Sequence, residues 1–154
     1  MNWWSPNCGH WPLSEKGGTT VKGKHEVRVE IKLALSDQDI EDLMVTALES
    51  GIGYWACLDN RSDTFRDAPD DEPVSITASK ILLNGGGLTF LDDEDHSIEW
   101  VLTLKKLLSG IKKFLENEGG SNCIMDGELD LGMIDAQAAD NIVQYALFNE
   151  LVYG

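Results

Sequence analysis

From Glu26 to Leu35 apolar and charged residues alternate without a break, with Val27, Val29, Ile31, Leu33 and Leu35 set against Glu26, Arg28, Glu30 and Lys32. A period of two predicts a strand with one buried and one wet face. The period then changes. Ser36-Asp37-Gln38-Asp39 supplies an N-cap hydroxyl and early negative charge, and Ile40, Leu43, Met44, Ala47 and Leu48 recur at helical spacing up to a stop at Gly51. Residues 52–58 carry no charge and read as a buried strand or packed extended segment, whereas 59–73, with two prolines, six acids and two arginines, reads as a solvated loop. Three further strands are predicted at Val74 to Leu83, Leu88 to Asp92 and Ser97 to Thr103, joined by hairpin-length connections across Asn84-Gly85-Gly86-Gly87 and Asp93-Glu94-Asp95-His96. Leu104, Leu107, Leu108, Ile111 and Leu115 mark an amphipathic helix ended by Gly119-Gly120. After a loop over 121–134, Asp135 caps a last helix with Ala139, Ile142, Val143, Ala146 and Leu147 as its buried stripe. The sum is an α+β domain over 25–154, an antiparallel sheet of about four strands covered on one face by about three helices. Residues 1–24 show neither period; with Pro6, Pro12, Gly17-Gly18 and three tryptophans, they read as an arm preceding the domain.

Composition changes this picture in one respect. The chain has 154 residues and 27 acids against 12 bases, a formal net charge of -15. A single core is the default at this length, hiding about 70% of the unfolded surface without a disulfide. The charge disfavours direct contact with nucleic acid and favours a basic partner surface. It is also uneven: residues 1–32 hold five bases and three acids, so the acidity belongs to the remainder. Within that remainder the one basic cluster is Lys105, Lys106, Lys112 and Lys113, on the polar face of the predicted helix. No apolar run approaches the ~20 residues of a membrane span, and the first ten residues lack a basic and an apolar signal region. Three cysteines, Cys8, Cys57 and Cys123, share no spacing, which fits a reducing, cytoplasmic compartment.

Candidate chemistry is sparse. Cys8-x-His10 needs two more ligands for a tetrahedral zinc site, and no CxxC or HxxxH supplies them, so no metal or cofactor is expected. Gly85-Gly86-Gly87 runs into Leu88-Thr89-Phe90 rather than into the Lys-Ser/Thr of a phosphate loop and reads as a turn. Asp126-x-Glu128-x-Asp130 has alternate carboxylates but neither the glycine nor the closing glutamate of a calcium loop. Of the three histidines none lies in a nucleophile-base motif, and His96 follows three carboxylates in a charged turn; no catalytic residue is expected and the chain reads as a non-enzyme. Tyr54-Trp55 either plugs the core, the favoured reading, or lines a groove. Trp3, Trp4 and Trp11 need a cover, from this domain or from a partner. The acidic stretches, 59–73 with Asp70, Asp71 and Glu72, then Asp92, Asp93, Glu94 and Asp95, then 126–140, either serve solubility alone or present carboxylates in place of phosphates to a basic channel.

Thr46-Ala47-Leu48-Glu49-Ser50-Gly51 leading to Tyr54-Trp55, together with Ala139-Asp140, Gln144, Ala146-Leu147-Phe148 and Val152-Tyr153-Gly154, resembles a family of small acidic proteins encoded by bacteriophages and prophages. The resemblance covers 26–58 and 97–154 and implies a genetic context inside a bacterium, with no mechanism. The combined expectation is an acidic binding protein that inhibits a nucleic-acid-handling host protein, such as a CRISPR effector, by occluding its basic surface. Its contacts would be Trp3, Trp4, Trp11 and the acids at 70–72 and 92–95. Two alternatives stand beside it: a module binding a small nucleotide-like signal in a pocket at Tyr54 and Trp55, and a homo-oligomer, at its simplest a homodimer, whose arm reaches a neighbouring subunit.

Overall fold

The computed structural model describes residues 25, 29–118 and 120–154. The expected Trp-rich arm over 1–24 lies outside the described residues. By chain contacts the protein divides into Met1–Glu30 and Ile31–Gly154, and the second unit carries the helices and strands named below. Its fold is mixed α+β: helix α1 (Asp37–Thr46), strand β1 (Ala56–Leu58), α2 (Val74–Leu83), β2 (Gly87–Asp92), β3 (Glu99–Thr103), α3 (Leu104–Asn117), the two-residue strands β4 (Ile124–Met125) and β5 (Glu128–Leu129), and α4 (Ala136–Phe148).

Strands β1, β2 and β3 form an antiparallel sheet in that order, with Ala56 opposite Asp92 and Phe90 opposite Trp100. Side chains alternate across it as a pleat demands. Leu88, Phe90 and Leu102 are fully buried in one cluster with Leu43 and Met44 of α1, Leu82 of α2, Leu107 of α3 and Ile142 of α4. The opposite sheet face, with Thr89, Glu99 and Val101, is only partly covered. Helix α1 starts at a reciprocal capping box between Ser36 and Asp39 and runs on through a π-helical turn, Ala47–Gly51. Helix α4 is capped by Asp135, whose side chain accepts from the Ala138 amide. It packs closely on α3 at Gly110, where an added Cβ would sit 2.4 Å from the Ile142 carbonyl oxygen.

Several expectations are corrected. Val74–Leu83 is a helix, not a strand: its alternation of apolar with hydroxyl residues imitates period two, yet Ser75, Ala78, Ser79 and Leu82 form the buried helical stripe. Its hydroxyls are satisfied in place, Ser79 donating to the Ile76 carbonyl, Ser75 to Glu49 and Thr77 to Glu72. Asn84-Gly85-Gly86 is accordingly the end of a helix and not a hairpin turn; Gly85 takes φ 83°, and the Gly85 and Gly86 amides donate back to Leu82 and Ile81. The strand expected up to Leu35 is also absent from its described part, residues 29–35, where the one ladder contact is a parallel bridge between Ala34 and Glu128. The stretch 121–134, expected to be a loop, contains the β4–β5 hairpin, turned at Asp126 and Gly127, both with positive φ.

Candidate functional site

The two motifs at 46–55 and 139–154 meet in space around one buried carboxylate. Gly51 ends the α1 extension against α4, where an added Cβ would lie 3.0 Å from the Ala136 carbonyl oxygen, and this brings Tyr54 and Trp55 over Asp140. Asp140 is 1% exposed. Its Oδ1 accepts from the Trp55 indole Nε1 at 2.7 Å, and its Oδ2 from the Tyr54 hydroxyl at 2.8 Å and from Gln144 Nε2 at 3.0 Å. A carboxylate without a cation is tolerated inside because neutral donors replace its water. Burial of the hydroxyl, then its hydrogen bond to Asp140 and the negative charge there, push the Tyr54 pKa up to about 12 although the residue as a whole is 55% exposed.

Gln144 ties this centre to the chain end: its Oε1 accepts from the Val152 and Tyr153 amides, both at 2.8 Å, and its Nε2 donates to the Tyr153 carbonyl at 2.9 Å. The Tyr153 ring then stacks on Trp55 at 4.8 Å and 8°, and Trp100 and Phe148 meet Trp55 edge-on at 5.8 and 5.5 Å. The Tyr153 hydroxyl donates to Asp92 Oδ2 at 3.1 Å, while Asp92 Oδ1 receives the Glu94 and Asp95 amides at 2.9 Å. The Asp95 amide first, and then that of Glu94, hold the Asp92 carboxyl below the usual range, despite the cost of desolvation.

The expected site residues thus separate. Trp55, 3% exposed, belongs to the core, while Tyr54 is half exposed beside it. Asp92 is buried and holds the β2–β3 turn together. Glu72 bonds to Lys80 and Thr77, which lower its pKa in that order of effect. Asp70, Asp71, Asp93, Glu94 and Asp95 are exposed. Of these, Asp95 accepts from the Ser97 hydroxyl and amide, and its pKa falls for that reason. Trp3, Trp4 and Trp11 lie outside the described residues. Sequence reasoning missed Asp140 and Gln144 as the polar centre, because an acid and an amide in a helix ordinarily read as surface.

Among the described residues no lysine of the basic cluster on α3 pairs with an acid of 59–73 or 92–95. Lys106 donates to the Val101 carbonyl, Lys113 to the Asn149 carbonyl, and Lys112 pairs with Glu116 of its own helix. Among the described residues the other ion pairs are Asp63 with Arg66 and Glu72 with Lys80. The acidic loop 59–73 leaves one end of β1 and the 93–95 turn sits at the other, since the Asp93 amide donates to the Trp55 carbonyl and that of Asp59 to Thr89.

A cleft of about 420 Å³ lies between Leu48, Ile52, Ala56 and Leu58 on one side and Pro73 and Val74 on the other, with Glu49 and the half-buried Cys57 on its wall. Neither Tyr54 nor Trp55 lines it. Burial followed by the charges of Asp130 and Asp135 pushes the Cys123 thiol up, which keeps it protonated. Among the described residues no three His, Cys, Asp or Glu side chains converge as metal ligands, and no helix is long and apolar enough to cross a membrane. Compared with known proteins, the chain matches no family model, no curated protein and no solved structure.

Proposed function

We propose that the protein is a non-catalytic acidic binder of phage or prophage origin. It acts in the bacterial cytoplasm and inhibits a nucleic-acid-handling host protein, a defence nuclease being the leading case, by occupying its basic surface. The observation that carries this reading is the exposed acidity flanking β1: Asp70 and Asp71 in one segment and Asp93 and Glu94 in the other are exposed, and none of them takes part in the ion pairs seen among the described residues. Charge arranged in this way accelerates encounter with a cationic surface and competes with phosphate for it.

The test removes four charges without touching the internal bonds. Asp70→Asn, Asp71→Asn, Asp93→Asn and Glu94→Gln are combined in one chain, leaving Glu72 and Asp92 in place. Partners retained from host lysate by the immobilised wild-type protein are purified, and their association kinetics measured at several salt concentrations. The association rate is expected to fall about tenfold or more at low salt in the variant, with the dissociation rate little changed. Duplex DNA is expected to compete. A tight complex indifferent to salt, to DNA and to the four substitutions would overturn the proposal and direct attention to the cleft beside Cys57.

A further inference from the structure

The cleft of about 420 Å³ lies wholly within the unit Ile31–Gly154, where the extension of α1 passes β1 and the start of α2. Its volume is in the range of small-molecule sites, which are mostly apolar with a few fixed polar groups. Leu48, Ile52, Ala56, Leu58 and Val74 give it aliphatic walls, and among the described residues no aromatic side chain lines it. Ile52 is 2% exposed and Val74 43%, so these walls run from the core out to water.

The charged group on the wall is Glu49. It belongs to the π-helical turn Ala47–Gly51, closed by the Ile52 amide donating to the Ala47 carbonyl at 3.0 Å, and turns of this kind recur at functional sites. Its Oε1 accepts from the hydroxyl of the buried Ser75 at 2.7 Å. One oxygen of an exposed carboxylate is thus fixed from inside, and the second is left for a donor from outside. The rim has the same sign of charge. Asn60 and Pro73 both border the cleft, and the chain between them carries five acids against two arginines. A cation entering there is attracted, and a phosphate or carboxylate is repelled.

We infer that this cleft is a binding site for a small aliphatic cation, an alkylammonium or alkylguanidinium compound whose hydrocarbon part lies along Leu48, Ile52, Leu58 and Val74 and whose charged head donates to Glu49. Removal of the hydrocarbon from water supplies the affinity, and Glu49 supplies the orientation and the choice of charge. A nucleotide-like ligand is disfavoured here, because its phosphates would meet Glu49 and the acids of the 60–73 segment. The site is independent of the proposed occlusion of a basic surface, since Glu49 and the walls are not among the four carboxylates whose removal tests that reading.

The test uses the full chain and hexylammonium, with 1-hexanol and hexanoate as its neutral and anionic counterparts, each titrated while backbone amide NMR shifts are followed. Hexylammonium is expected to give saturable shifts at the residues around the cleft. It should bind about threefold more tightly than the alcohol and about tenfold more tightly than the carboxylate, the scale of an exposed ion pair. Glu49→Gln is expected to bring the ammonium to the affinity of the alcohol. Gly53 borders the cleft, and a Cβ added there meets nothing within 4 Å, so Gly53→Phe is expected to keep a dispersed, folded amide spectrum while its ring competes with the probe for the cleft. The half-buried Cys57 on the wall gives a second reading: bound hexylammonium should slow its alkylation by iodoacetamide, located by peptide mapping, and slow it less in Glu49→Gln. No saturable shift up to the solubility limit, equal affinity for ammonium and carboxylate, an ammonium preference that survives Glu49→Gln, or undiminished binding in a folded Gly53→Phe would each overturn the inference.

Discussion

Asp140 is the residue on which the interior most depends, because four neutral donors converge on its two oxygens, Tyr54 and Trp55 from a remote part of the chain and Gln137 and Gln144 from its own helix. Asp140→Asn keeps the shape but turns one acceptor into a donor, leaving either the Trp55 indole or the Tyr54 hydroxyl without its acceptor. A buried group left so costs about 1–3 kcal/mol, and at this chain length each kcal/mol lowers the melting temperature by about 2–4 °C. Thermal melts of the variant check this. Tyr54 allows a pH test at the same place. Its pKa is raised in the folded protein to about 12 from 10.0, so its hydrogen bond contributes fully below pH 10 and is lost as pH rises through the folded value. Tyr54→Phe is expected to be less stable than wild type at neutral pH by about 1 kcal/mol. The gap should close between pH 10 and 12 in urea titrations; a gap constant across that window would separate the raised pKa from the bond to Asp140.

At the scale of elements, α3 and α4 are readable in the sequence because their apolar positions fall on one stripe and the polar remainder is largely hydrophilic. Helix α2 is not. Its buried stripe is largely Ser75, Ala78 and Ser79, and small hydroxyl residues hide in a helix interface only when their bonds close locally, which the order of residues does not disclose. The punctuation around it is the better signal: Pro73 before the first turn and Asn84-Gly85 after the last are helix boundaries. The strand pattern before α1 fails differently, since a period-two sequence needs a neighbour and none is present in its described part. The meeting of Tyr54 and Trp55 with Asp140, some 85 residues away, is a tertiary fact that no local spacing encodes. The close crossing of α3 and α4 yields its own expectation. Gly110→Ala would gain up to about 1 kcal/mol of helix propensity, yet the added Cβ falls 2.4 Å from one backbone oxygen and 2.8 Å from the Ala146 Cβ. Overpacking of that kind costs about 1–3 kcal/mol, so the net sign is predicted to be destabilising in chemical denaturation.

Over the whole molecule the acidity and the core are separable. Loop carboxylates such as Asp70 and Glu94 can be neutralised without disturbing a buried bond, whereas the same change at Asp92 unlatches both the β2–β3 turn and the Tyr153 hydroxyl. Deletion of residues 1–24 is expected to leave a cooperative thermal transition, because the described residues beyond the cut already form one core cluster drawn from α1, α2, α3, α4 and the sheet. Loss of the transition would place Trp3, Trp4 or Trp11 in the core.

The order in which the chain emerges during synthesis gives the Gln144 clamp a further meaning. Trp55 and Trp100 are covered by Phe148 and Tyr153, and Asp140 shares Gln144 with the backbone of residues 152 and 153. Until those residues have cleared the ribosomal tunnel, the sheet can form its ladder, but the indole cluster stays open to water. A chain stalled after α3 would therefore display a sticky aromatic surface to chaperones and proteases, and the aromatic cluster closes only once residues 148–153 have joined it.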